Sequence, residues 1–226
     1  MNRKERRAAQ SGRRRAKLDR IIAVHESGHA VARVLVAEQT GIPVDHSISH
    51  IDVGTKAEMG KSIDGQSVLI SQAITFGPML PEAASAAIRA MNLSAGHALT
   101  MDEITVAFDA AVARGLHAKS WAAGRAFIAT CGAAAEARHL SLPFASVWNG
   151  PQCEHDLRDT VRDLLIARVL DSEMEDVIDQ AASEAVATMA RPEVWRAVSA
   201  LADRIPTFGL MPGRLAVSIV RAALQT

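Results

Sequence analysis

The chain has 226 residues, enough for one sizeable core or two small ones, and its 49% apolar content excludes wholesale disorder. Tyrosine is absent, aromatics total 4% and alanine is abundant, which points to a mainly α, Ala-rich helical fold. Formal charge sums to zero, and two cysteines, Cys131 and Cys153, supply no disulfide framework, which suits a reducing, cytoplasmic setting.

That zero hides an asymmetry. Residues 1–20 hold nine of the 25 basic groups but only Glu5 and Asp19 of the 25 acidic ones, so residues 21–226 carry 16 basic and 23 acidic groups, a net of −7. The first 20 residues therefore read as a basic arm, flexible or partly helical, ahead of a body spanning residues 21–226. Such an arm could meet nucleic acid or an anionic lipid surface; without aromatics it reads instead as a solvated tail. No apolar h-region follows it, so a secretory signal is not expected. Residues 67–85 form the longest weakly charged run, but Gln72, Gly77, Pro78, Pro81 and Glu82 interrupt it, so no transmembrane segment is expected.

Next comes Ile21–Ala37, IIAVHESGHAVARVLVA, with His25-Glu26-Ser27-Gly28-His29 spelling H-E-x-x-H inside an apolar run. Apolar flanks on nearly all sides predict a buried helix. Residues four apart share a helix face, so His25 and His29 can close on one metal ion, and zinc suits two imidazoles plus a third ligand. Glu26 stands beside the first ligand, where its carboxylate can take a proton from a polarised water. Satisfied core histidines are the alternative reading; buried imidazoles beside a glutamate need some partner, and a metal is a natural one.

Gly41 and Pro43 break this helix. His46–Val53 then predicts a strand, and Lys61–Ile63, after a turn flanked by Gly54 and Gly60, a returning one, so a small β-hairpin is expected beside the H-E-x-x-H helix. His46 and His50 would lie about 13 Å apart along a strand, too far to share one ion, and read as surface or substrate-groove residues. From Ser67 the pattern predicts helix almost to the end: Ala83–Met91 after Pro81-Glu82, Met101–Arg114 capped by Thr100, the Ala-rich His117–Leu140, His155–Leu170, Ser172–Met189, one from Pro192, and Gly213–Leu224. Asp159 and Asp163 read as a solvated face beside Arg158 and Arg162.

The third ligand distinguishes the known solutions. Ala32 and Leu35 stand where a metzincin needs glycine and histidine. Glu136 is a candidate on a later helix, and Glu154-His155-Asp156 forms a second cluster at a helix start.

Three blocks carry a family resemblance. HESGHAVARVL resembles the HEAGHA helix of the FtsH-type zinc peptidase domain. Cys131–Glu136 (CGAAAE) resembles that family's GGRAAE segment, and Asn149–Leu157 (NGPQCEHDL) resembles its loop ending in Asn-Asp-Ile/Leu. The resemblance implies His25, His29 and Asp156 as zinc ligands, Glu26 as catalytic base, and Glu136 as a neighbour that orients a ligand histidine. It also implies that the Ser47–Ile63 hairpin offers the strand edge where an extended substrate binds, at Ser47–Val53. Cys131 and Ala133 depart from the usual Gly and Arg. His155 stands where Asn usually precedes the Asp, which leaves His155, Glu154 and Glu136 as alternative third ligands. Residues 66–117 look longer than the family needs, and neither an ATPase module nor a membrane helix accompanies the motifs.

The expectation is a zinc metalloendopeptidase acting on peptides or unfolded chains without ATP of its own. Homo-oligomerisation and a separate ATPase that supplies unfolded chains are left open by the sequence. The rival class is an inactive peptidase-fold interaction protein, its site holding a structural or vestigial metal or occluded by residues 66–117. A third is a nucleic-acid-associated factor directed by residues 1–20.

Overall fold

A computed structural model describes residues 3–40, 43–53, 58–61, 67–70, 73–76, 101–113, 117–205 and 209–226. The expected turn around Gly54, the helix Ala83–Met91 and the stop at Gly115 lie outside these residues.

The fold is mainly α. Helix α1, Arg3–Thr40, runs for 38 residues, about 57 Å at 1.5 Å per residue, and joins the basic stretch and the H-E-x-x-H motif in one helix. Every residue from Ala23 to Val34 is buried. More than three turns are thus enclosed on all sides, as the unbroken apolar flanks demand. After β1 (His50–Val53), β2 (Glu58–Lys61), β3 (Ser67–Ile70) and β4 (Ala73–Phe76) come α2 (Met101–Val112) and α3 (Ala118–Leu140). Short α4 (Phe144–Trp148) leads through a 3-10 turn, Pro151–Cys153, into α5 (Glu154–Ile166). Then follow α6 (Asp171–Ala190), α7 (Pro192–Ala202), β5 (Gly209–Pro212) and α8 (Gly213–Leu224). Among the described residues no helix is long and apolar enough to cross a membrane.

Helices α1 and α3 form the centre. On one side α1 meets α7 and α8, and on the other side α3 meets α4, α5 and α6. Small residues let these two helices approach closely. A Cβ on Gly28 would stand 2.5 Å from the carbonyl oxygen of Cys131 and 2.8 Å from Ala135 Cβ, and across the same interface Gly124 of α3 faces Val36. The left-handed backbone of Ser141 (φ 54°) closes α3, with the Leu142 N–H donating back to the Ala137 carbonyl at 2.9 Å.

The β structure corrects the expected hairpin. β1 does not pair with a return strand at Lys61–Ile63. It lies at the centre of a three-stranded antiparallel sheet, His50 facing Phe76 of β4 on one side and Pro212 of β5 on the other. β2 pairs instead with β3, Glu58 opposite Ile70. Ser67–Ile70 and Ala73–Phe76, read as the start of helix, are strands. SVLI and AITF are short continuous apolar runs whose period fits either element, and their β-branched residues favour the sheet. β4 packs on α1, so the sheet still flanks the motif helix. The β5–α8 junction is tied to β1's approach: the Gly213 N–H donates to the Ser49 carbonyl at 2.9 Å. A Cβ on Gly213 would collide with the Ile48 carbonyl at 1.8 Å.

Candidate metal centre

Three elements meet at the centre. α1 brings His25, Glu26 and His29, α3 brings Glu136 and Gly132, and the first turn of α5 brings Asp156. The N-terminal end of α5 favours that carboxylate through the helix dipole. Asp156 Oδ2 lies 3.0 Å from His25 Nε2 and 3.5 Å from His29 Nε2. Donors held about 2.0–2.1 Å from a tetrahedral zinc are about 3.3 Å apart, so these separations suit a shared cation. The two imidazoles stand edge to face, centroids 4.7 Å apart. Donor atoms of His25, Glu26 and His29 all lie within 4.8 Å of one another.

Hydrogen bonding fixes the protons. The backbone carbonyl of Ile128 can only accept, so His29 Nδ1, 2.8 Å away, carries a hydrogen and its Nε2 a lone pair. Glu136 Oε2 sits 2.9 Å from His25 Nδ1 and accepts in the same way. With both Nδ1 atoms donating outward, the Nε2 atoms of two neutral rings would face a carboxylate oxygen with lone pairs only; in the metal-free protein His25 Nε2 therefore holds a hydrogen and donates it to Asp156 Oδ2 at 3.0 Å. Only a cation satisfies that set. In its absence the cation is a proton. Burial opposes a charge on His25, yet hydrogen bonds to Asp156 and Glu136, with the nearby charges of Asp156 and Glu26, push its pKa up to about 10. Burial likewise works against a charged Asp156, but the adjacent imidazoles of His29 and His25, the latter donating a hydrogen bond to it, hold it far below the usual carboxylate range. The donor chemistry therefore fits a divalent metal whose ligands are deprotonated.

Gly132 completes the cradle. A Cβ there would stand 2.4 Å from His29 Cε1 and 2.8 Å from His25 Nε2, so the imidazole pair fits only because α3 has no side chain at this point. The centre keeps a solvent edge, with the side chain of Asp156 20% exposed and those of His25 and His29 near 10%.

The alternative third ligands fall elsewhere. His155 is 65% exposed, 3.7 Å from Asp159, and Glu154 faces Arg158 at 3.5 Å. Glu136 touches the outer nitrogen of His25. His50 opens β1 beside Ser49 Oγ at 3.1 Å and joins no metal-donor group among the described residues. One expectation is overturned: Asp163 is buried rather than solvated, because Arg125 reaches across from α3 to bind it at 2.7 Å.

Sequence reasoning missed Cys153, whose Sγ lies within 4.8 Å of donor atoms of His25 and Asp156. Burial, then the charges of Asp156 and Glu136, push its thiol well above its ordinary range. Its position three residues before Asp156 was the available signal. Comparison with models of known protein families finds no match to this chain, and comparison with curated proteins finds none either.

Proposed function

We propose that the chain is a zinc-dependent metallopeptidase of the FtsH type. The convergence of His25 Nε2, His29 Nε2 and Asp156 Oδ2, with both Nδ1 atoms committed outward, carries this reading. It is supported by the resemblance of HESGH, CGAAAE and NGPQCEHDL to that family's blocks. His25, His29 and Asp156 would hold the ion, and Glu136 would orient His25. Zinc, when bound, supplies a Lewis acid for the scissile carbonyl and for a water. Glu26, 5% exposed and next to His25, takes the proton of the attacking water and delivers it to the leaving amine. An extended peptide or unfolded chain cannot add to β1, whose two sides are paired. The outer side of β4, the strand packed on α1, has no strand partner among the described residues and offers main-chain groups for such a substrate.

Zinc content of the purified protein, measured beside His25→Ala and Glu26→Gln, tests the reading. About one zinc per chain is expected, lost in His25→Ala and kept in Glu26→Gln, while peptide hydrolysis falls about 10²–10⁴-fold in Glu26→Gln. A fully active Glu26→Gln protein would sink the mechanism. Zinc without hydrolysis in the wild type would favour the inactive interaction protein.

A further inference from the structure

The centre holds more metal donors than hydrolysis uses. Cys153 Sγ, a ring nitrogen of His25 and a carboxylate oxygen of Asp156 lie within 4.8 Å of one another. Cys153 closes the Pro151–Cys153 turn and Asp156 lies in the first turn of α5, a spacing of three residues that directs both side chains to one side. The position is fixed. The Cys153 N–H donates to the Gly150 carbonyl at 3.1 Å, and the side chain is fully buried among Ala133, Ala137, Val147 and Trp148. Cys131 is equally buried but belongs to no metal-donor group among the described residues.

We propose that His25, Cys153 and Asp156 form a second metal site, overlapping the first and selective for thiophilic cations such as Cd²⁺. Zinc accepts thiolate, imidazole and carboxylate alike, so adding a sulfur donor to the set raises the relative affinity of a softer ion such as Cd²⁺. Among the described residues the sulfur-containing group takes its donors from His25, Cys153 and Asp156, without His29. On binding, the S–H bond breaks, a sulfur–metal bond forms and the proton passes to solvent, with no change of oxidation state. Both sets need His25 and Asp156, so they cannot be filled together. A thiophilic cation therefore excludes zinc and, on the peptidase reading on which this one consequence rests, stops hydrolysis.

The test titrates metal-free protein with Cd²⁺ and follows the ultraviolet thiolate-to-cadmium charge-transfer absorption. Wild type, His29→Ala and Cys131→Ala should each develop the band, saturating at about one Cd²⁺ per chain. Cys131→Ala matters because it leaves Cys153 as the only thiol, so its band reports Cys153 whether or not a Cys153 variant folds. Cys153→Ser should lose the band and bind Cd²⁺ roughly tenfold or more weakly. Absence of the band in folded wild type or in folded Cys131→Ala overturns the proposal, as does an undiminished band in folded Cys153→Ser. The two readings fail separately: the band without peptide hydrolysis overturns only the peptidase, and hydrolysis without the band overturns only the sulfur site.

Discussion

Two polar clusters lie where α5 packs against the central helices, and they are built on opposite balances. The first joins His25, His29, Glu136 and Asp156, and with both imidazoles neutral it is one hydrogen short, so that a proton on His25 Nε2 or a metal ion must bridge to Asp156. The second lies two turns further along α5, where Asp163 accepts from Arg125 Nε at 2.7 Å and from Arg162 Nη2 at 3.1 Å. Arg33 from α1 borders it. Burial and the repulsion of Arg125 lower the Arg33 pKa to about 9, against the opposing pull of Glu26 and Asp163. Here donors outnumber acceptors, and the buried carboxylate is satisfied by the protein's own cations. Buried charge alone therefore does not mark a candidate site. A deficit of hydrogens does, because only an added cation repairs it.

The largest expected effect separates the clusters by pH. In metal-free protein His25 has a folded pKa of about 10 against an ordinary 6.5. Its contribution is complete below pH 6.5 and is lost as pH rises toward 10, a loss of the order of a few kcal/mol. Asp156, held below its ordinary 3.8, contributes above that value and loses its contribution as pH falls below it. With zinc in place of the proton, folded and unfolded chains both hold His25 neutral above pH 6.5, and the slope from this residue disappears. Urea midpoints between pH 6 and 9, with zinc or with chelator, measure this. A metal-free protein whose midpoint does not move with pH would break the comparison.

Asp163→Ala probes the second cluster. Removing the carboxylate strands Arg125 beside Arg33 and Arg162, and breaking a buried pair in this way costs about 3 kcal/mol. Zinc stoichiometry should not change, because among the described residues Asp163 is bound by Arg125 and Arg162 and not by a ligand or a ligand-orienting group. Chemical denaturation together with metal analysis of the folded variant tests the separation. Loss of zinc from folded Asp163→Ala would merge the two clusters into one.

The helical part of the fold was legible because its punctuation is local. Pro192 and Pro212 mark starts where α7 and α8 begin, and the H-E-x-x-H run predicted a fully buried helix. The sheet was not legible, because β1 finds β5 some 160 residues away and no local pattern encodes that partner. SVLI and AITF carry no period long enough to exclude helix. In the site, helix spacing brought His25 to His29, while the third donor depended on which way the first turn of α5 faces. One turn sends His155 to solvent and Asp156 inward. Ile128 contributes only a backbone carbonyl, which no side-chain motif can reveal.

Gly132→Ala makes the smallest change in atoms and bears most directly on the first cluster. The added methyl would meet both imidazoles within 2.8 Å, and overpacking of that size costs about 1–3 kcal/mol. Gly28→Ala provides the matched control. Its methyl would press on the Cys131 carbonyl at 2.5 Å and on Ala135 Cβ at 2.8 Å, in the same helix interface but against no imidazole. Both variants should lose similar stability, measured by thermal unfolding with chelator present. Only Gly132→Ala should also displace His25 and His29 from Asp156 and weaken zinc binding, measured by competition with a chromogenic chelator. Equal zinc affinity in the two folded variants would mean that the imidazole pair can shift without losing its metal geometry. The deficit of hydrogens would then be a property of one arrangement of the side chains rather than of the helix packing.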